Sequence, residues 1–203
     1  MSTIQPNSAK PEATAKLLTT RKLFASMILV GLIVSAAPGA RYVSGGAFGG
    51  AYIPLFQPDK GNGHTFGIKA RIKLAAVLYV EPYFLHTREG DVETIVNNGT
   101  ITQESGKISS LGANLIIASW LDETIRPYAM IGIGTFKVKD HSHREEANRF
   151  GSNWGAGVEY TLIPKRLFLD LNAQLQFIDM EGGSQRKAIV LCGGLNWYFK
   201  ISQ

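Results

Sequence analysis

AIVLCGGLNWYF, from Ala188 to Phe199, is the stretch whose reading decides the fold. Taken at period two, Ile189, Leu191, Gly193, Leu195, Trp197 and Phe199 form one face. Ala188, Val190, Cys192, Gly194, Asn196 and Tyr198 form the other. The first face is apolar along its length and closes with two aromatics; the second is mixed and small. About ten alternating residues ending in aromatics suit a strand with lipid on one side and a polar lumen on the other. Strands of water-soluble barrels alternate too, so the reading turns on whether the chain repeats the pattern and carries an export signal.

The pattern repeats. Seven further runs are read at 41–53, 65–74, 78–88, 107–118, 125–139, 151–161 and 166–179. The clearest alternation is in the second, with Phe66, Ile68, Ala70, Ile72 and Leu74 opposite Gly67, Lys69, Arg71 and Lys73. That period is two rather than 3.6, which excludes an amphipathic helix. In the seventh, Leu167, Leu169, Leu171, Ala173, Leu175 and Phe177 oppose Asp170, Asn172, Gln174 and Gln176. Polar breaks at 54–64, 89–106 and 140–150 are long, and those between them are short. Short turns on one rim and longer loops on the other describe an up-and-down barrel. The expected fold is all-β: an eight-stranded antiparallel up-and-down transmembrane β-barrel.

An export signal precedes the runs. Arg21 and Lys22 lead into the apolar stretch LFASMILVGLIV (23–34) and then the small residues Ser35 to Ala40. A basic segment, an apolar core and a small-residue cleavage zone make a signal peptide. A membrane anchor needs roughly 18 or more apolar residues, and this stretch is shorter. Residues 1–39 are therefore read as a polar extension plus a removed signal peptide, and 40–203 as one barrel domain. The chain carries 21 Lys+Arg and 16 Asp+Glu, a net charge of +5. Lys10, Lys16, Arg21, Lys22 and Glu12 lie in the leader, so 17 basic and 15 acidic residues remain from Arg41 on, about +2. No basic stripe with interleaved aromatics supports nucleic-acid binding. Cys192 is the only cysteine, so an internal disulfide is excluded.

Charges on the polar faces decide which side is wet. A Lys or Arg facing lipid at mid-depth costs roughly 2–4 kcal/mol, whereas facing inward it can pair. The predicted lumen network is Lys69, Arg71, Glu81, Arg126, Glu159 and Asp170, a salt-bridged plug in a packed polar interior. Gly132, Gly134, Gly155 and Gly157 on the same faces make room for it. A soluble lipocalin-like barrel inverts this polarity, and such a chain commonly carries a disulfide and an early Gly-x-Trp motif, which are missing here.

Three segments carry a resemblance: RPYAMIGIG (126–134), GAGVEY (155–160) and the terminal NWYF (196–199). Across the expected mature domain the chain resembles the small eight-stranded outer-membrane proteins of Gram-negative bacteria, the OmpA/OmpX-like and opacity-protein-like β-barrel domain family. The resemblance implies insertion into outer-membrane lipid by the barrel-assembly machinery, which reads a C-terminal strand ending in an aromatic. Trp197 and Phe199 are the matching positions, although Lys200 to Gln203 follow them. An OmpA-type peptidoglycan-binding domain after the barrel is not expected.

Other chemistry is weakly signalled. His141-Ser142-His143 could form half a zinc site, or suggest the Ser/His/Glu site of barrel lipid A deacylases, but reads as a charged loop. Glu89, Asp91 and Glu93 alternate without the glycine and closing glutamate of a calcium loop, and read as a solvated hairpin tip. Asn98-Gly99 reads as a turn. Trp120, Tyr128, Trp154, Trp197 and Phe199 read as interface or lipid-facing aromatics. Cys192 is expected on the lumen face. No catalytic, cofactor-binding or metal-ligating set is assigned. The expected protein is a monomeric, non-enzymatic outer-membrane barrel serving envelope integrity or surface adhesion, with a surface ligand taken by loops 54–64, 89–106 and 140–150. The alternatives are a narrow solute channel, a barrel enzyme acting on lipid A and a soluble lipocalin-like binder.

Overall fold

The computed structural model describes residues 42–57, 60–96, 99–103, 106–119, 123–139, 146–180 and 183–201. Ten strands form in chain order: β1 (Tyr42–Leu55), β2 (Gly61–Lys73), β3 (Leu78–Gly90), β4 (Val92–Val96), β5 (Gly99–Gln103), β6 (Lys107–Ala118), β7 (Ile125–Lys139), β8 (Glu146–Ile163), β9 (Leu167–Asp179) and β10 (Gln185–Lys200). Eight of them close a barrel in the order β1-β10-β9-β8-β7-β6-β3-β2. Closure runs the length of the terminal strands, from Tyr42 opposite Lys200 to Leu55 opposite Lys187. A closed barrel leaves no sheet edge, so each of its eight strands satisfies its backbone without water. Among the described residues, no helix is long and apolar enough to cross a membrane.

Side-chain orientation follows the alternation strictly where the sequence alternates. Along β7 every second residue from Arg126 to Val138 is buried, and those between are exposed. Along β10, Val190, Cys192, Asn196 and Tyr198 point inward and Leu191, Leu195, Trp197 and Phe199 outward.

Three expectations about the connections change. The stretch 89–106 is not a plain loop: β4 and β5 pair as a separate hairpin sheet. The stretch 140–150 is partly strand, since β8 starts at Glu146, where it faces Lys139. The stretch 54–64 contracts likewise, because β1 runs to Leu55 and β2 begins at Gly61, with a register shift between Gly61 and His64. Past the apolar belt a strand no longer needs hydrophobic alternation, so composition stops marking where it ends.

Candidate functional site in the barrel lumen

Inward positions of five strands meet in one charged layer. Lys69 and Arg71 come from β2, Glu81 from β3, Arg126 from β7, Glu159 from β8 and Asp170 from β9. Lys69 pairs with Asp170 and lies 3.6 Å from Glu81. Arg71 reaches Glu81 at 2.5 Å, Glu159 at 2.9 Å and Asp170 at 3.6 Å. Arg126 closes on Glu159 at 2.5 Å. Lys69, Arg71 and Arg126 thus stand against Glu81, Glu159 and Asp170, and the layer is neutral. Register explains its connectivity: Glu159 faces Arg126 on one side and Asp170 on the other. Two adjacent acids repel, and the β2 cations reach across the lumen to compensate them.

Neutral groups complete the layer. Asn114 donates to Glu81 at 3.0 Å and Asn196 to Glu159 at 2.6 Å. The Tyr128 hydroxyl donates to Asp170 at 2.6 Å, and that of Tyr198 to Glu159 at 3.1 Å. Arg126 donates to the Tyr79 hydroxyl at 3.1 Å. The Arg71 guanidinium lies 4.7 Å from the Tyr128 ring centre, and that of Arg126 lies 5.2 Å from Phe168. A planar guanidinium can stack on rings while its fork grips carboxylates, which suits arginine to both positions. Removing one member of such a buried pair strands a charge, at about 3–5 kcal/mol.

The expected polar interior is corrected on the loop side. There Phe48, Tyr52, Tyr83, Leu85, Ile108, Phe136, Val138, Ile178 and Val190 form an apolar cluster above the charged layer. Beyond it, buried Glu89 lies 3.3 Å from Arg186 and 3.9 Å from Lys60. Glu89 is therefore a lumen residue rather than part of a solvated tip. The cavity between charged layer and apolar cluster, lined by Phe48, Lys69, Glu81, Tyr83 and Asn114, measures ≈ 10 Å³. That is about the space of one water molecule.

The inward glycines accommodate rings and amides more directly than charges. A Cβ on Gly157 would sit 2.5 Å from the Tyr128 ring, and one on Gly112 would sit 2.6 Å from the Tyr83 hydroxyl. One on Gly132 would strike the amides of Asn114 and Asn153.

Tyr128 is a second correction: it is 5% exposed and faces the lumen, not lipid. Its place two residues after inward Arg126 carries that signal, and the same parity argument places Tyr79 and Tyr83 beside Glu81. Trp154, Trp197 and Phe199 do face outward, at 58%, 41% and 56% exposure. Cys192 is buried inside the barrel. His141, Ser142, His143, Asn98 and Trp120 lie outside the described residues. Among the described residues, no cluster of His, Cys, Asp and Glu could hold a metal ion.

The outer wall is apolar. Phe66, Ile68, Ile131, Ile133, Leu171, Leu175, Leu191 and Leu195 are all exposed. A belt of this extent exceeds what a protein surface in water leaves uncovered; it fits a hydrocarbon surround. Glycines and charges inside with leucines and aromatics outside is the polarity of a membrane barrel.

The comparisons with known proteins agree. Residues 23–199 match the family model described as the outer membrane protein beta-barrel domain. The neisserial surface protein A structure is similar at a TM-score of 0.62 and 15% identity, covering 80% of this chain and 100% of that one. The N-terminal β-barrel domain of Pseudomonas aeruginosa OprF is similar at 0.51 and 18% identity, covering 80% of this chain and 100% of that one. Among curated proteins no sequence relative matches. The chain belongs to the outer membrane protein beta-barrel domain family, and its barrel lies in the bacterial outer membrane.

Proposed function

We propose that this protein is a non-enzymatic, monomeric outer-membrane barrel with a sealed lumen, whose work lies in envelope integrity and surface contact through its loop-side structures. The observation carrying this reading is the occluded interior. An ion-paired layer and an apolar cluster fill the barrel in series, leaving a cavity of ≈ 10 Å³ between them. A solute would have to break buried ion pairs and then pass the packed cluster around Phe48 and Phe136. Six inward charges thus act as mortar rather than as an ion path.

The surface role is supported by the β4–β5 hairpin, which forms its own sheet outside the barrel. Both its outer edges lie outside the barrel's pairing scheme, and an open strand edge can add a partner's strand. Residues 1–39 act as the export leader, and Trp197 and Phe199 as the aromatic signal read by the assembly machinery. Planar-bilayer recording of the refolded barrel tests the sealed-lumen reading. No conductance steps are expected, and steady single-channel openings would establish the narrow-channel alternative instead. Mass spectra of lipid A from cells with and without the protein should be identical; an altered acyl pattern would overturn the non-enzymatic assignment.

A further inference from the structure

Four connections cross the loop rim, between β1 and β2, β3 and β6, β7 and β8, and β9 and β10. Three of them bring charge to one residue, Glu89. It stands next to last in β3, at the foot of the β4–β5 hairpin. Its backbone N–H donates to the Gly106 carbonyl at 3.1 Å and so closes that foot. Its carboxylate turns inward, 3.9 Å from Lys60 in the β1–β2 connection and 3.3 Å from Arg186, the second residue of β10. The three side chains are buried, at 9% exposure for Lys60, 0% for Glu89 and 6% for Arg186.

Among the described residues the other buried acids are Glu81, Glu159 and Asp170, all in the mid-barrel layer. Glu89 is the buried acid of the mouth. It rests on the apolar cluster, because the hydroxyl of Tyr52, a member of that cluster, interacts electrostatically with both Glu89 and Arg186. Met180, where the β9–β10 connection begins, packs on the same cluster. Buried pairs are screened little by salt, and withdrawing one partner leaves a charge uncompensated. A movement that carries Lys60 or Arg186 away from Glu89 therefore weakens the hold on the remaining connections.

We propose that Glu89 is an ionic staple that couples the β1–β2, β3–β6 and β9–β10 connections into one cooperative unit, so that displacing one of them loosens the other two. The sharing is what transmits the displacement. Separate ion pairs would brace each connection alone, whereas one carboxylate held between cations of two other connections ties all three. The inference goes beyond the surface-contact reading, since it needs neither a surface ligand nor a sealed lumen.

The test is amide hydrogen exchange, resolved by NMR, on the full barrel refolded into phospholipid nanodiscs without any ligand. Two of the connections carry a reporter remote from Glu89 in sequence. The Lys60 N–H donates to the Gln57 carbonyl at 3.1 Å, and the Met180 N–H to the Ser184 carbonyl at 2.9 Å. Local opening sets the exchange rate at such positions. E89Q should speed exchange at Lys60 and Met180 together, by about tenfold or more, the scale of one lost contact to a charged group. Mid-barrel amides such as that of Leu115 should keep their rates. K60Q should speed exchange at Met180, on another connection, and should add nothing once E89Q is present. Lys165→Gln, on the turn rim, should leave both reporters unchanged. A change confined to the foot of the hairpin in E89Q, or an effect of K60Q on Met180 that persists in E89Q, would overturn the proposal. Should E89Q fail to refold, K60Q and R186Q decide: each must speed exchange at the other's connection, and effects confined to their own refute the staple.

Discussion

Glu159 is the residue on which the lumen depends most. It accepts from Arg126 at 2.5 Å, Asn196 at 2.6 Å and the Tyr198 hydroxyl at 3.1 Å, with Arg71 at 2.9 Å. Glu159→Ala leaves two guanidinium groups short of an anion inside a packed lumen. It should destabilise the refolded protein by about 3–5 kcal/mol in urea titration. A double-mutant cycle with Arg126→Met should recover part of that loss, because the second substitution removes one stranded charge; strict additivity would contradict the pairing. Gly157→Leu tests the steric side of the layer. Its side chain would enter the Tyr128 ring, and overpacking of this kind costs about 1–3 kcal/mol. Adding Tyr128→Ala should relieve the part due to the ring, while the Leu171 carbonyl, 2.7 Å from the added Cβ, still resists. The six charged members were legible in the sequence because lipid rejects ionised groups at mid-depth. The tyrosines beside them were not, since tyrosine suits a membrane interface and a lumen equally; only parity with Arg126 and Glu81 separates the two.

At the scale of elements, the turn-side ends of strands were read closely, and the loop-side ends were not. Turns such as Pro164 to Arg166 are tight, marked by Pro and by the positive φ of Lys165 (60°). On the other rim the strands outlast the membrane. Glu146–Lys139 and Gly61–Gly90 pair where no apolar face is required, so pairing rather than hydrophobicity sets the boundary. The β4–β5 hairpin was hidden for the same reason: VETIV and GTITQ look polar as a stretch, yet carry the β-branched residues that strands favour. Deleting residues 92–103 should leave the heat-dependent gel shift of the barrel intact while removing any cell-surface binding. Loss of the shift would show that the hairpin stabilises the barrel instead. Phe199→Ala should slow insertion in an assembly-machinery reconstitution without altering the inserted product; unchanged kinetics would remove Phe199 from the signal.

At the scale of the whole molecule, one alternation organises everything: apolar outside, paired charge and packed rings inside. No disulfide braces it, since Cys192 is the single cysteine. Closure of β1 on β10 and the lumen contacts hold the barrel instead. The stretch from Ala188 to Phe199 carries the central claim, because period two alone does not say which face meets lipid. A single-cysteine scan of 188–199 in a Cys192→Ala background, spin-labelled in bilayers, reads it directly. Labels at 189, 191, 193, 195, 197 and 199 should collide with dissolved oxygen, and those at the even positions should be immobilised and shielded from lipid. Oxygen exposure at the even positions, or a period other than two, would contradict a lipid-facing outer wall around a filled lumen.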